Sequence, residues 1–183
     1  MGFHLTYGAV LASMLSPGQD PLALLPLVVP VALVVIFIWV GRSRPQFRRA
    51  IPLLVVAVLV AFTLPLGLVP MQESAAGWQV TGTTLHLVAP PDTASISLTG
   101  ASWSLIRRAS TQSSLSKVNG FADPTLDTGT FQIGHGGQAV VLIYGTPAEW
   151  VLLHAAGKLY LIATPSLPSL ENALRQDSGP PAP

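Results

Sequence analysis

The stretch Gly41–Ala50, GRSRPQFRRA, separates two long apolar runs and decides how the rest of the chain is arranged. The run before it, residues 22–40, and the run after it, residues 51–71, contain no charged residue. At a rise of about 1.5 Å per residue, each run is long enough as a helix to cross a hydrocarbon layer about 30 Å thick. The sequence therefore predicts a transmembrane hairpin of two helices over residues 22–71.

Basic residues are concentrated in the connecting stretch and predict its orientation. No Lys or Arg occurs in residues 1–40 or in residues 50–106. Because short loops rich in Lys and Arg stay on the cytoplasmic side, we expect this loop in the cytoplasm and both termini outside it. The chain is thus predicted to be a two-pass protein of the cell membrane, with membrane lipids as partners. The basic residues of the loop are Arg42, Arg44, Arg48 and Arg49.

The composition agrees with a membrane protein and excludes several classes of function. Charged residues make up 9% of the 183 positions and the mean hydropathy is +0.55, whereas soluble domains have about 25% charged residues. The net charge is +1, and no basic face outside the loop suggests a nucleic-acid partner. The chain has no cysteine, which excludes disulfide scaffolds, thiol catalysis and cysteine-based zinc sites.

The first 21 residues are mildly apolar and too short to span a membrane. Apolar side chains recur there at spacings of three and four, from Phe3 to Leu15, as on one stripe of a helix. We expect a segment that lies at the membrane interface or packs on another helix. A cleaved signal peptide is disfavoured because the basic region that precedes its apolar core is missing.

Residues 77–176 show a different pattern, with short alternating segments separated by Gly, Pro and Asn. This spacing predicts eight strands in an antiparallel sandwich or barrel. Leucines at 167, 170 and 174 then predict a terminal amphipathic helix capped by Ser166, whose apolar stripe would plug the barrel mouth. Residues 177–183 are predicted to be a disordered tail by composition. The predicted strands are 78–81, 84–89, 94–99, 102–107, 129–134, 139–144, 150–155 and 159–164.

Residues 108–128 form the longest stretch without clear periodicity and are predicted to be a loop, functional or mobile. Asp123 and Asp127 flank Pro124 within it. Paired carboxylates can perform acid and base chemistry or hold calcium, but calcium loops need more oxygen ligands at tighter spacing. We therefore interpret this pair as part of a solvated loop face.

The order of two apolar helices, strands and a terminal helix resembles that of bacterial pleckstrin-homology-like proteins with membrane helices. The resemblance implies an all-β barrel closed by a C-terminal helix, with no defined activity. It covers a little over half of the chain. The segments that carry it are Asn119-Gly120-Phe121, Gly129-Thr130-Phe131, Ala139 to Tyr144, Trp150 to Leu153, Lys158 to Ile162, and Pro165 before Leu170 and Leu174.

The β region offers one basic cluster and no recognisable catalytic set. Arg107, Arg108 and Lys117 are candidate binding residues for a lipid headgroup or a partner. Ser114 and Lys117 match S-x-x-K, but its companion motifs are missing and the match is attributed to chance. The histidines lack metal-binding spacing, although His86 and His154 could meet across strands. We expect no enzyme activity, metal or cofactor.

Two functional hypotheses follow from these patterns. The first is a membrane-anchored module that binds a protein partner or a second copy of itself, or that associates with the cell envelope. The second is a domain that binds a lipid headgroup or a small ligand through the basic cluster. An enzyme is a third class, which would require a histidine near an acid in a pocket.

Overall fold

A computed structural model divides the chain into two compact units. Met1–Ser13 and Gln72–Pro183 form one, which we call the β unit, and Met14–Met71 forms the other, the helical unit. Within the described residues the fold is mixed, with two β-sheets and four helices, one of them long and apolar. The structure describes residues 1–15, 25–43, 49–108, 115–123, 125–134 and 137–181. The helices are α1 (Tyr7–Leu15), α2 (Leu25–Ser43), α3 (Ile51–Glu73) and α4 (Leu167–Asp177).

In the helical unit, α3 has the length and composition of a membrane span. None of its most apolar window is buried within the structure. Thr63 Oγ1 donates a hydrogen bond to the Leu59 carbonyl oxygen at 2.8 Å, so this hydroxyl adds no unpaired polar group to the apolar surface. In α2 the apolar part within the fully described residues is Val28–Val40. Among the described residues one helix therefore meets the criteria for a span, and the second span and the hairpin stay predictions. Arg44 and Arg48 of the connecting loop lie outside the described residues.

The first sheet of the β unit has four antiparallel strands, in the order β1-β2-β3-β4. The strand β1 was not predicted, because three residues are too few to show an alternating pattern. Hydrogen bonds from Val80 N to Met1 O and from Leu5 N to Ala76 O, both 2.9 Å, fix it on the sheet. The strands are β1 (Gly2–His4), β2 (Gly77–Thr81), β3 (Thr84–Ala89) and β4 (Asp92–Ser97).

The first residues of the chain thus differ from the single interfacial segment predicted over residues 1–21. Met1–Ser13 belongs to the β unit, and α1 buries Val10 and Ser13 there. Tyr7, which the predicted stripe placed inward, is exposed. Packing on another helix and contact with a membrane interface both stay predictions.

The second sheet has six strands, in the order β5-β9-β10-β8-β7-β6. Strands β8 and β10 run parallel, with Leu161 opposite Val141, and the other pairs are antiparallel. The prediction of a wholly antiparallel arrangement is wrong at this pair, because β10 lies between β9 and β8. Within the described residues the edge strands β5 and β6 do not pair, so no closed barrel is seen. The strands are β5 (Ser102–Arg107), β6 (Leu115–Asp123), β7 (Leu126–Ile133), β8 (Gln138–Tyr144), β9 (Glu149–Ala155) and β10 (Lys158–Ala163).

Strand β6 and the first three residues of β7 lie inside the stretch that was predicted as a loop, and that prediction is wrong for residues 115–123 and 126–128. The alternation is interrupted by a register shift between Lys117 and Asn119 and by Gly120. Gly120 and Gly129 face each other with positive φ, and a Cβ on either would collide with the backbone of the opposite strand. The glycines allow the close approach that a side chain would prevent, and they also remove the period-two signal.

Alternation along the six strands gives the larger sheet two apolar faces. One face holds a buried cluster that includes Phe131, Val141, Trp150 and Leu161, and Ile106 and Leu115 from the two edge strands pack against it. The opposite face bears Thr128 and Thr130, which bond to groups from outside the sheet. Thr130 Oγ1 donates to Asp92 Oδ2 of the first sheet at 2.6 Å. The larger sheet thus packs on both faces.

Helix α4 follows β10 as predicted and buries Leu167, Leu170 and Leu174. Ser166 occupies the N-cap position, but its side chain makes no capping bond, and its Oγ lies 3.2 Å from Thr164 Oγ1. The tail predicted to be disordered begins with bonded residues. Ser178 Oγ donates to the Leu98 carbonyl at 2.9 Å, and Trp103 Nε1 donates to the Gly179 carbonyl at 3.1 Å. Residues 182–183 lie outside the described residues.

Candidate functional site

The turn end of the β6–β7 hairpin brings together acidic and hydroxyl side chains, and two cations act electrostatically on one of its acids. Ser13 Oγ, from α1, donates a hydrogen bond to Asp123 Oδ1 at 2.8 Å and lies 2.6 Å from Thr125 Oγ1. Thr125 N lies 3.4 Å from the same carboxylate oxygen. Ser13 is buried, so these bonds tie the N-terminal helix to the hairpin. We call this hairpin end, with Asp127, Lys117 and Arg108, the charged end.

Asp127 is the most perturbed group of the charged end. It lies opposite Ile143 of β8, and Ile143 lies opposite Ala163 of β10, so Asp127 shares the face of the buried apolar cluster. Burial and the neighbouring Asp123 carboxylate raise the pKa of Asp127 from 3.8 to about 6, while the positive charges of Lys117 and Arg108 oppose that rise. Desolvation is the largest of these effects.

The three predicted binding residues are only partly brought together. Lys117 lies opposite Phe131, on the face of Asp127, and the Gly120–Gly129 pair between them carries no side chain. Arg108 donates its backbone N–H to the Ala148 carbonyl at 2.9 Å and acts electrostatically on Asp127. Arg107, the last residue of β5, lies opposite Glu149 and is not among the charges that act on Asp127. Two of the three cations thus act on one carboxyl group.

Sequence reasoning missed two groups at this end of the unit. Ser13 lies 110 residues from Asp123 in the chain, and no local pattern connects them. Glu73, the last residue of α3, is 6% exposed, and its carboxylate accepts a 2.5 Å hydrogen bond from Thr128 Oγ1. The available signal was a charged residue two positions after a long apolar run, but such a residue is equally typical of the end of a membrane helix.

The other candidate motifs do not form sites in the described part of the chain. Lys117 of the S-x-x-K match lies on a strand, not on a helix, and Ser114 lies outside the described residues. His86 belongs to the first sheet, where its Nδ1 lies 3.0 Å from Ser95 Oγ, and His154 belongs to the second. Among the described residues no three His, Asp or Glu side chains come together as metal ligands.

A cavity of about 290 Å³ lies where the open edge of the first sheet meets the β9–β10 turn. Residues of β4 and of the β4–β5 connection line one side, and Ala155, Ala156 and Tyr160 line the other. Tyr160 is 6% exposed, and burial raises the pKa of its hydroxyl. None of the described residues that line the cavity is charged, so it suits a neutral group.

Two chemical capacities follow from this geometry. The charged end holds a carboxyl group that titrates near pH 6 beside two cations, so its net charge becomes more positive as the pH falls. The cavity offers hydroxyl groups and apolar walls to a neutral ligand. Comparisons of the chain with models of protein families, with curated proteins and with solved structures found no match. The family resemblance drawn from the sequence therefore stays a prediction.

Proposed function

We propose that this chain is a two-pass membrane protein that displays a pleckstrin-homology-like β domain outside the cytoplasm, as a module that binds a protein partner. One observation carries the proposal. The exposed apolar helix α3 passes directly into the β unit, because its last residues, Gln72 and Glu73, belong to that unit. The buried Glu73 carboxylate, bonded to Thr128 of β7, fixes the end of the helix within the β unit.

The orientation in this proposal rests on the arginines of the connecting loop. Arg42 lies in the last turn of α2, and Arg49 lies just before α3. Positive charges at these positions favour a cytoplasmic loop, which places the β unit on the opposite side of the membrane.

The family likeness is supported by part of the architecture. Strands β6 to β10 follow one another with short turns and lead directly into α4, whose leucines are buried. The parallel pairing of β8 with β10 and the attachment of β1 and α1 differ from a simple closed barrel. The proposed module is therefore a pleckstrin-homology-like arrangement with additions at its N-terminal side.

Two experiments test the membrane part of the proposal. In a bacterial host the full chain is expected to stay in the membrane pellet after alkaline carbonate extraction and to enter solution with detergent. Alkaline phosphatase fused after residue 183, which is active only outside the cytoplasm, should be active, and green fluorescent protein at the same place should be dark. Release by carbonate, or a fluorescent cytoplasmic fusion, would contradict the assignment.

The binding role is tested by cross-linking the full chain in membranes, then purifying it in detergent. We expect one partner in a fixed stoichiometric ratio, cross-linked through the β unit. Absence of any stoichiometric partner, self-association included, would count against a binding module.

A second function is favoured by the convergence of Arg108 and Lys117 on Asp127. Protonation of Asp127 removes the negative charge between these cations, so the charged end should bind anions such as phosphate groups more strongly below pH 6. Line broadening of the ³¹P signal of inorganic phosphate by the detergent-purified chain should be greater at pH 5 than at pH 7.5. Lys117→Ala should abolish the difference, and Arg107→Ala, which removes a cation that does not act on Asp127, should keep it. Equal broadening at both pH values would exclude this function.

A further inference from the structure

Within the part of the chain that the structure describes, the outer edge of β4 presents unpaired backbone groups at regular intervals. Leu98 N donates to the Thr83 carbonyl at 2.8 Å, which identifies Leu98 and Thr83 as a hydrogen-bonded pair of the antiparallel ladder. Such pairs alternate along the strand, so Ile96 and Ala94 also bond to β3. The N–H and C=O groups of Thr93, Ser95 and Ser97 therefore point away from the sheet.

The other sheet edges are protected against strand addition, and β4 is not. Strand β6 carries Lys117 and a register shift, strand β5 ends in Arg107, and strand β1 has only three residues. Natural edges avoid pairing by such charges, bulges and shortness. In β4 the charged residue is Asp92, whose carboxylate accepts a hydrogen bond from Thr130 in the other sheet. Thr93, Ser95 and Ser97, which form the outward row, are neutral.

The cavity lies directly beside this edge. It is lined by Ser95, Ile96 and Ser97 of β4 and, across the gap between the sheets, by Tyr160 and Ala155. Ile96 points inward and is buried, so an added strand would direct its alternate side chains into the same gap. Tyr160 is 6% exposed and lines the cavity, and among the described residues its hydroxyl makes no hydrogen bond. A hydroxyl at a cavity wall with open hydrogen-bonding capacity can pair with a ligand group that enters the cavity.

We propose that the β4 edge binds an extended segment of a partner protein as a fifth strand, which places one neutral hydrogen-bonding side chain in the cavity beside Tyr160. The backbone groups of Thr93, Ser95 and Ser97 supply the hydrogen bonds, and the cavity selects the side chain. This inference rests on the proposed binding function and names the type of partner.

A partner of different sequence fits this edge better than a second copy of the chain. Two β4 strands paired with each other would offer Ala, Ser and Thr side chains together with one Ile that is already buried. Those small side chains would leave the cavity of about 290 Å³ largely empty. A strand that brings a glutamine or a similar side chain would fill the volume and bond to the tyrosine hydroxyl.

The test uses the full chain in detergent and a fluorescein-labelled peptide, acetyl-Thr-Val-Xaa-Val-Thr-Val-amide, in which Xaa is Gln, Leu or Gly. Fluorescence anisotropy should show binding in the order Gln above Leu above Gly. Ser97→Pro removes one outward N–H, a change that edge strands tolerate, and should weaken binding about tenfold. Ser97→Ala keeps that N–H and should stay within about twofold of the native chain. Tyr160→Phe should remove the preference for Gln over Leu.

Each contrary result identifies what is wrong. If none of the three peptides binds at a concentration of about 1 mM, at which even a weak site would be occupied, the strand-addition proposal fails. It also fails if Ser97→Pro binds the peptides as well as Ser97→Ala does. If a stoichiometric partner still cross-links elsewhere on the β unit, the binding function survives that failure. If the full chain forms a dimer and Ser97→Pro abolishes that dimer, the β4 edge pairs with a second copy of the chain. This result would overturn the proposal of a different partner protein.

Discussion

Replacement of Asp127 by asparagine is expected to stabilise the β unit at neutral pH. The pKa of Asp127 is raised in the folded chain to about 6 from 3.8, so the folded state binds more protons than the unfolded state between these values. The native chain therefore has its full stability below about pH 3.8 and loses part of it as the pH rises through 6. An asparagine resembles the protonated acid in shape and charge, and it removes this loss.

The magnitude follows from the size of the pKa change. A difference of about 2 pKa units corresponds to about 3 kcal/mol at 1.4 kcal/mol per unit. Asp127 is partly exposed, and solvent screens its charge, so we expect a gain of about 1–2 kcal/mol at pH 7.5. For a unit of this size the melting temperature should rise by about 4 °C per kcal/mol, or roughly 4–8 °C.

Thermal unfolding of the full chain in detergent, followed by tryptophan fluorescence from pH 4 to pH 8, measures this effect. The curves of the native chain and of Asp127→Asn should converge near pH 4 and separate above pH 6. Glu149→Gln removes an exposed carboxylate from the same sheet and serves as the control for the loss of a surface charge. If Asp127→Asn melts at or below the native temperature at pH 7.5, the assigned burial of this carboxylate is wrong.

Three further changes are expected to destabilise the β unit in the same assay. Gly120→Ala adds a Cβ against the backbone of Thr128 and should lower the free energy of unfolding by about 3 kcal/mol or more. Gly145→Ala also has a positive φ but adds its Cβ in open space, and it should lower the free energy of unfolding by about 1 kcal/mol. Equal losses in the two variants would show that the close approach of the strands is unimportant. Thr128→Val removes the hydroxyl that bonds the buried Glu73 carboxylate and should cost about 1–3 kcal/mol, and recovery in Thr128→Ser tests the hydroxyl itself. Trp78→Phe loses a buried 3.1 Å indole N–H bond and should cost about 1–2 kcal/mol, and a neutral result would contradict that bond's contribution.

Strand positions were predictable where side chains alternate over five or more residues. Thr84–Ala89 and Ser102–Arg107 have the predicted bounds, since each begins with alternating polar and apolar side chains. Two strands escaped prediction for opposite reasons. Gly2–His4 is too short to show a period, and Leu115–Asp123 contains a bulge and a glycine that interrupt it.

The charged end could not be predicted as a site, because sheet register brings its parts together. Asp123 and Asp127 are close in the sequence, and that pattern predicts a solvated loop face for both. In the structure Asp127 faces an apolar cluster, and Lys117 reaches the same face only because the bulge after it shifts the alternation of β6. A shift of one residue in register would place every side chain of β6 on the other face, and single-sequence patterns do not fix register to that accuracy.

The acids of the β unit also indicate why Asp127 differs from its neighbours. Glu73, Asp92 and Asp123 each accept a hydrogen bond from a threonine or serine hydroxyl, which stabilises a carboxylate without adding positive charge. Asp127 receives no hydrogen bond from the described residues, and its opposing charges, Lys117 and Arg108, act through space. A carboxyl group that interacts with cations only through space can gain a proton, or lose those cations to an arriving anion, without breaking a hydrogen bond. The bonded acids Glu73, Asp92 and Asp123 hold the fold together, whereas Asp127 is a carboxyl group of the β unit whose raised pKa lets a ligand change its ionisation.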